Sequence, residues 1–532
     1  MKTAFALLLA IASASAQHDD PAPAGEKPVA LLPGLGTWKH PISTSSAEAQ
    51  KFFDQGLTLM YGFNRYEAMR SFRKAVKLDP RAAMAYWGLA MASGPYINID
   101  LEGKLNMKES CEAAGAGLRA QGLKPVERDW LQAALKRCPN YDPAVYIKAM
   151  RALAARYPED PDAQTLYAEA LLLPVRWRWY DNQGNAAEGV AEAEHVLEAV
   201  MRRFPMHPGA NHLYIHAVES SRTPERAVAS AQRLMGATPS AGHMVHMPAH
   251  IWLVLGDYEM AASVNERAAE VDRQYFARTG VGGGYFMYYM HNLDFIVYAR
   301  AMQGRWKATS AAVRQMTDAG RTIAGAMPEM AAIFDVVASQ TLLRMYRWDD
   351  VLRIAPPKAA NPLAQAFYHH ARGLALAGKG RRDEARQAQS AFEKERVKVD
   401  RNMPFGNNKA GAIFDLAAAT LDARVAPSPA GSVAKWKQAV ALQDRLVYDE
   451  PPGWYYPIRE SLGAALLLAG DAAGAEQIFR EGLRRSPNNG RMLFGLLESL
   501  KRQGKSESAY WAQREFERAW SGADVELKLE DL

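Results

Sequence analysis

The chain has 532 residues, 48% of them hydrophobic, and 64 Lys and Arg against 58 Asp and Glu give a formal charge of +6. Its basic residues are dispersed, the longest run being Lys379–Arg382 with Asp383 and Glu384 directly behind it. This excludes the concentrated basic stripe of a nucleic-acid binder, and no run beyond the N-terminus approaches the roughly 18 apolar residues of a membrane span.

From the start of the chain, Lys2, the apolar run Ala4–Ala12 and the small-x-small step Ala14-Ser15-Ala16 read as a secretory signal over residues 1–16. The expected location is therefore exported, periplasmic or secreted. Residues 17–46, with Pro21, Pro23, Pro28 and Pro33, read as an extended N-terminal tether. A 34-residue frame started at Ala49 then places Gly56 at position 8, Ala68 at 20, Phe72 at 24, Ala75 at 27 and Pro80 at 32. Those are the small, aromatic and helix-stopping positions of the tetratricopeptide pattern. Between Tyr96 and Pro205 the pattern loosens. Cys111 and Cys138 fall there, open to two readings, a disulfide in an oxidising compartment or two buried thiols.

Ala227 and Pro239 fix a further frame at Pro208, and Gly256-Asp257-Tyr258 with Ala261 fixes one at Gly242, in register with it. Gly304-Arg305-Trp306 sets another near Met290, and Gly380 with Ala385 one near Ala366. After a second loose stretch from Met403 to Tyr455, a good match begins at Tyr456, with Leu462, Gly463, Ala475, Phe479 and Pro487 on template positions. The expected fold is all-α, a tetratricopeptide-repeat superhelix over residues 47–520 with histidine-rich units at 208–300, and a C-terminal tail at 521–532.

Seven of the twelve histidines lie between His207 and His291. In stacked hairpins the first helix of each unit lines the concave groove, through positions 2, 5, 9, 12 and 13, a face roughly 100° wide. His212, His216 and Glu219 take positions 5, 9 and 12 of the first unit, and His243, His246 and His250 positions 2, 5 and 9 of the next. His291 and Asp294 take positions 2 and 5 of the third, which an insertion around Gly280–Gly284 offsets. Histidines four apart stack along a helix and can grip one ion. Eight potential ligands exceed one ion's need, so a dinuclear centre, or one ion with an outer ring of His and carboxylate, is the natural count. The six histidines are candidate metal ligands, for copper, zinc or iron, with Glu219 and Asp294 as catalytic proton carriers or further ligands. A polar groove for a peptide or small anion is the rival reading of the cluster.

Other features carry less. His40 and His207, beside prolines, read as loop residues, His195 and His369 as hydrogen-bonded core histidines, and His370 as groove-facing. Met244 and Met247 read as packing. Trp177, Trp179, Tyr180 and the run Tyr285–Tyr289 read as hairpin core rather than pocket wall, and Gly280–Gly284 as a joint, with a lid hinge as its functional reading.

Five stretches, Ala47–Phe72, Ala83–Pro95, His207–Glu219, Gly242–Trp252 and Tyr448–Leu467, together resemble a group of exported bacterial tetratricopeptide proteins, distantly similar to an animal tetratricopeptide protein. The resemblance implies the repeat fold and singles out the same histidine motifs, but brings no reaction. In that group a histidine often follows the Phe-Asn pair. Arg65 stands there here, so no ligand role carries over. Three functions follow as alternatives: a metal-dependent hydrolase or oxidase acting on a small molecule or peptide, a scaffold holding a partner protein or peptide, and a metal store or carrier.

Overall fold

A computed structural model describes residues 26–98, 107–280, 283–323, 328–357 and 361–532. The signal segment 1–16, part of the tether and residues 281–282 of the glycine-rich joint lie outside the described residues. The chain is all-α, built of tetratricopeptide-type helix hairpins, with one short antiparallel pair, Pro404–Phe405 with Asn408–Lys409. No helix among the described residues is long and apolar enough to cross a membrane. The chain forms two compact units. One takes Trp252–Ser263 and Leu293–Leu532, and the other the described part of Ala6–Ile251 together with Val264–Asn292.

The hairpins form where the repeat pattern places them. Helix Ala47–Tyr61 starts at Ser46, whose side chain accepts from the Ala49 N–H, and helix Arg65–Leu78 at Asn64, which accepts from Glu67. These caps satisfy donors that the first helical turn leaves open. Phe72 is fully buried, and a Cβ built on Gly56 or Gly88 would lie 2.7 or 2.3 Å from its ring. The ring is thus clamped between two glycine backbones. Phe479 repeats the arrangement in the other unit, where a Cβ on Gly463 or Gly495 would fall 2.5 or 2.1 Å from it. A methyl added at Gly88 must displace the ring, so Gly88→Ala is expected to destabilise by about 1–3 kcal/mol in chemical denaturation. An unchanged midpoint would contradict the clamp.

The loosely patterned stretch is helical too. Helices Pro143–Arg156 and Pro161–Leu172 open with Pro at N1 behind capping Asp142 and Asp160. Of the two readings for the cysteines the disulfide holds: Cys111 and Cys138 are bonded, 27 residues apart. Closing that loop contributes roughly 3.5 kcal/mol by the chain-entropy argument.

Residues 26–46 are extended and laid against their own unit. The Lys27 N–H donates to Thr279 O, Leu32 N–H to Gln55, and Gly34 O accepts from Ser240. At the far end Leu532 is buried, and Asp524 accepts from the backbone N–H groups of Trp306 and Lys307. One packing contact was not written in the repeat. Helix Pro208–Glu219 meets its neighbours Val190–Arg203 and Val228–Ala237, and also the first hairpin at Ala47–Tyr61. That contact brings Tyr61 and Phe63 to the histidines.

Candidate metal centre

Six histidines meet in two groups of three. His212 and His216 lie one turn apart on helix Pro208–Glu219, and His243 on the short helix Gly242–His246 joins them. The second group is His246, His250 on helix Pro248–Val254, and His291 on helix Phe286–Met302. Within each group one ring nitrogen per residue lies within 4.8 Å of the others, the spread that a single ion can span. The groups adjoin: His216 and His250 rings are 5.2 Å apart, and His243 and His246 rings 5.5 Å. The helix carrying His243, His246 and His250 is broken, because Pro248 has no N–H to continue it. The break still leaves the Nε2 atoms of His246 and His250 only 2.7 Å apart.

Acceptors fix the orientation of four rings. His212 Nδ1 donates to the Tyr61 carbonyl, His246 Nδ1 to Asn265 Oδ1 at 2.6 Å, His216 Nδ1 to Glu219 Oε1 at 2.9 Å and His250 Nδ1 to Glu219 Oε2 at 2.5 Å. An Nδ1 that donates leaves the Nε2 lone pair as the acceptor. Two such lone pairs then face each other across His246 and His250, which is repulsive unless a cation or a proton lies between them. His212 Nε2 and both nitrogens of His243 are buried with no hydrogen-bond partner among the described residues. Each unpaired buried polar atom costs about 1–3 kcal/mol, and a metal ion removes that cost. Burial first, and neighbouring imidazoles second, hold His212, His243 and His246 well below the usual histidine range. They are therefore neutral at pH 7, the form that binds metal.

Glu219 enters neither triad. It is 2% exposed, places one oxygen on a ring of each, and lies within ligand reach of His216 and His250, so it orients both groups from a position where a further ligand would stand. Glu219→Gln puts an amide NH2 against one of two Nδ1–H groups and forces that ring to turn. Metal affinity, read by chelator competition, should fall about 10–100-fold, and an unchanged affinity would remove Glu219 from the site. Asp294 is in neither triad, and burial pushes its carboxyl up to about 6.

Aromatic rings surround the first triad, and among them Trp179 is both buried core and wall of the site. Phe63 lies 4.4 Å from His212 and is stacked at 5.1 Å on His243, Trp177 and Trp179 stand 5.7 and 5.8 Å from His216, and Tyr288 is 4.6 Å from His243. Phe63 and Trp177 both have left-handed backbones, with φ of 56° and 61°, a conformation that costs a side-chain-bearing residue roughly 1–2 kcal/mol. Strain of this kind gathers at functional sites.

Asn265, Tyr61 and Asp272 were missed from sequence. Asn265 and Asp272 are fully buried and seven apart on helix Tyr258–Thr279, a polar stripe on one face that could have flagged them. The Asp272 carboxylate sits where a Cβ on Gly242 would be, 1.8 Å away, so position 242 admits only glycine. The other histidines among the described residues are elsewhere. His207 caps helix Pro208–Glu219 and bonds Asp162, His370 is a buried core residue bonded to Thr420, and His195, read as core, is exposed.

No protein-family model and no curated protein matches the chain. Among solved structures it is similar to yeast Tom70, with 13% identity over 88% of this chain and 90% of that one and a TM-score of 0.28. The human IFIT1 dimer with m7Gppp-AAAA shares 12% identity over 90% and 92%, with a TM-score of 0.33. The tetratricopeptide domain of P58(IPK) shares 14% over 87% and 99%, with a TM-score of 0.21. At these values they carry no argument about ligand or chemistry.

Proposed function

We propose that the protein is an exported helical-repeat metalloprotein that holds two transition-metal ions in adjacent histidine triads and acts on a small molecule or peptide. The observation that carries this is the direction of the rings: four Nδ1 atoms donate to fixed acceptors, which turns the Nε2 lone pairs toward one another in a buried space. Neutral imidazoles suit zinc, copper or iron, and the absence of carboxylates from both triads disfavours magnesium and calcium. Zinc would lower the pKa of a bound water for hydrolysis, whereas copper or iron would support oxidation. Export is supported by the N-terminal pattern and by the Cys111–Cys138 disulfide, a bond typical of oxidising compartments. A scaffold that clamps a peptide has no need of six buried or half-buried imidazoles gathered in two groups, three of them held neutral by burial. Elemental analysis of protein prepared without a histidine tag tests the proposal: near-stoichiometric zinc, copper or iron is expected, and metal-free protein that takes up none of the three on dialysis would refute it.

A further inference from the structure

A second cluster sits in the same unit, apart from the triads. Asp162 is 2% exposed and accepts four hydrogen bonds: from Tyr61 Oη at 2.6 Å, His40 Nδ1 at 2.8 Å, His207 Nε2 at 3.1 Å and Trp38 Nε1 at 3.2 Å. Burial raises its pKa, but the bonds from His207 and His40 outweigh that and hold the carboxyl well below its usual range. For His40 burial acts downward, and Asp162 more than reverses it, so His40 lies above 6.5. This His40–Asp162 pair forms part of the wall of a cavity of about 510 Å3. The extended segment 38–43 lines that cavity together with apolar residues that include Trp130, Met84 and Phe204. A cavity of this size, apolar with a few convergent polar groups, is the usual form of a small-molecule site.

The polar lining points to the sign of the ligand. Its carboxylates already accept from the protein: Asp162 as above, Glu127 from the Ser43 and Lys124 N–H groups, and Asp160 from Asp162 and Ala163. The donors that remain include three that are cationic or readily become so, the exposed Lys39 and Lys124 at the rim and His40 within, and one neutral one, the buried Trp130 indole N–H. His40, Asp160 and Asp162 are also close enough to hold an ion, yet a cation would have to displace four donors from Asp162. We infer that this cavity binds a small organic anion, a carboxylate carried on an aromatic or branched apolar body. The inference is independent of the metal proposal.

Calorimetric titration of the full-length mature protein with phenylacetate, and separately with phenethylamine, tests it. Saturable phenylacetate binding is expected, at least tenfold weaker in the Lys39→Ala/Lys124→Ala double variant. Val126→Trp, an exposed position at the rim, should abolish it while circular dichroism stays unchanged. The absence of saturable phenylacetate binding, binding untouched by Val126→Trp, or tighter binding of the amine than of the acid would each overturn it.

Discussion

Replacing His216 or His246 by alanine is expected to cut bound metal while leaving the helices in place. Each substitution removes one of three protein donors from its triad. Loss of an outer partner alone typically costs 10–100-fold in affinity, so loss of a ligand should cost more than about 100-fold. His246→Ala leaves the first triad whole, and one ion per chain should remain. His216→Ala has a wider effect, since His216 shares Glu219 with His250 and its loss frees one carboxylate oxygen beside the second triad. Alanine is the strongest helix former, so ellipticity at 222 nm should be unchanged. Metal content equal to wild type in both variants would sink the site assignment, whereas loss of both ions from His246→Ala would show that the triads fill together.

The repeat itself was written plainly in the sequence. The period-34 recurrence of Gly56, Phe72 and Pro80, and again of Gly463, Phe479 and Pro487, reports a local requirement: a ring needs gaps on two helices, and the hairpin must then stop. The histidine positions were legible for the same reason, because helical phase alone places 212 with 216 and 246 with 250. What closes the site was not legible. Tyr61 and Phe63 precede His212 in sequence by about four repeat lengths, and they reach it through packing of the first hairpin on helix Pro208–Glu219, which no periodicity encodes. Trp177 and Trp179 lie in the irregular stretch after Leu172, where there is no phase to read. For Asp294 the template position alone does not decide, because three residues turn a helix by roughly 300°, and the insertion before Met290 leaves nothing in the sequence to fix the face it presents.

His370 should make the protein acid-sensitive, independently of any metal. Its ring is 1% exposed, packed 5.7 Å from Phe392 and 5.8 Å from Trp454, with Thr420 as its hydrogen-bond partner. Burial pushes it down to about 3 from an ordinary 6.5. The sign follows from proton counting. Below pH 6.5 the unfolded chain binds a proton at this position that the folded chain refuses, so stability falls as pH drops from about 6.5 toward about 3. At up to 1.36 kcal/mol per pH unit, the descent from pH 6.5 to 4.5 costs roughly 2 kcal/mol from this residue alone. His370→Gln fills much of the space and does not titrate. At pH 7 the variant should be less stable by about 1–2 kcal/mol, from lost ring packing. By pH 4.5 the deficit should vanish or reverse, because wild type has lost roughly 2 kcal/mol that the variant never had at stake. The other buried histidines titrate in both proteins and cancel in the difference. Urea denaturation at the two pH values therefore isolates His370, and parallel losses in wild type and variant would mean that its ring is protonated in the fold.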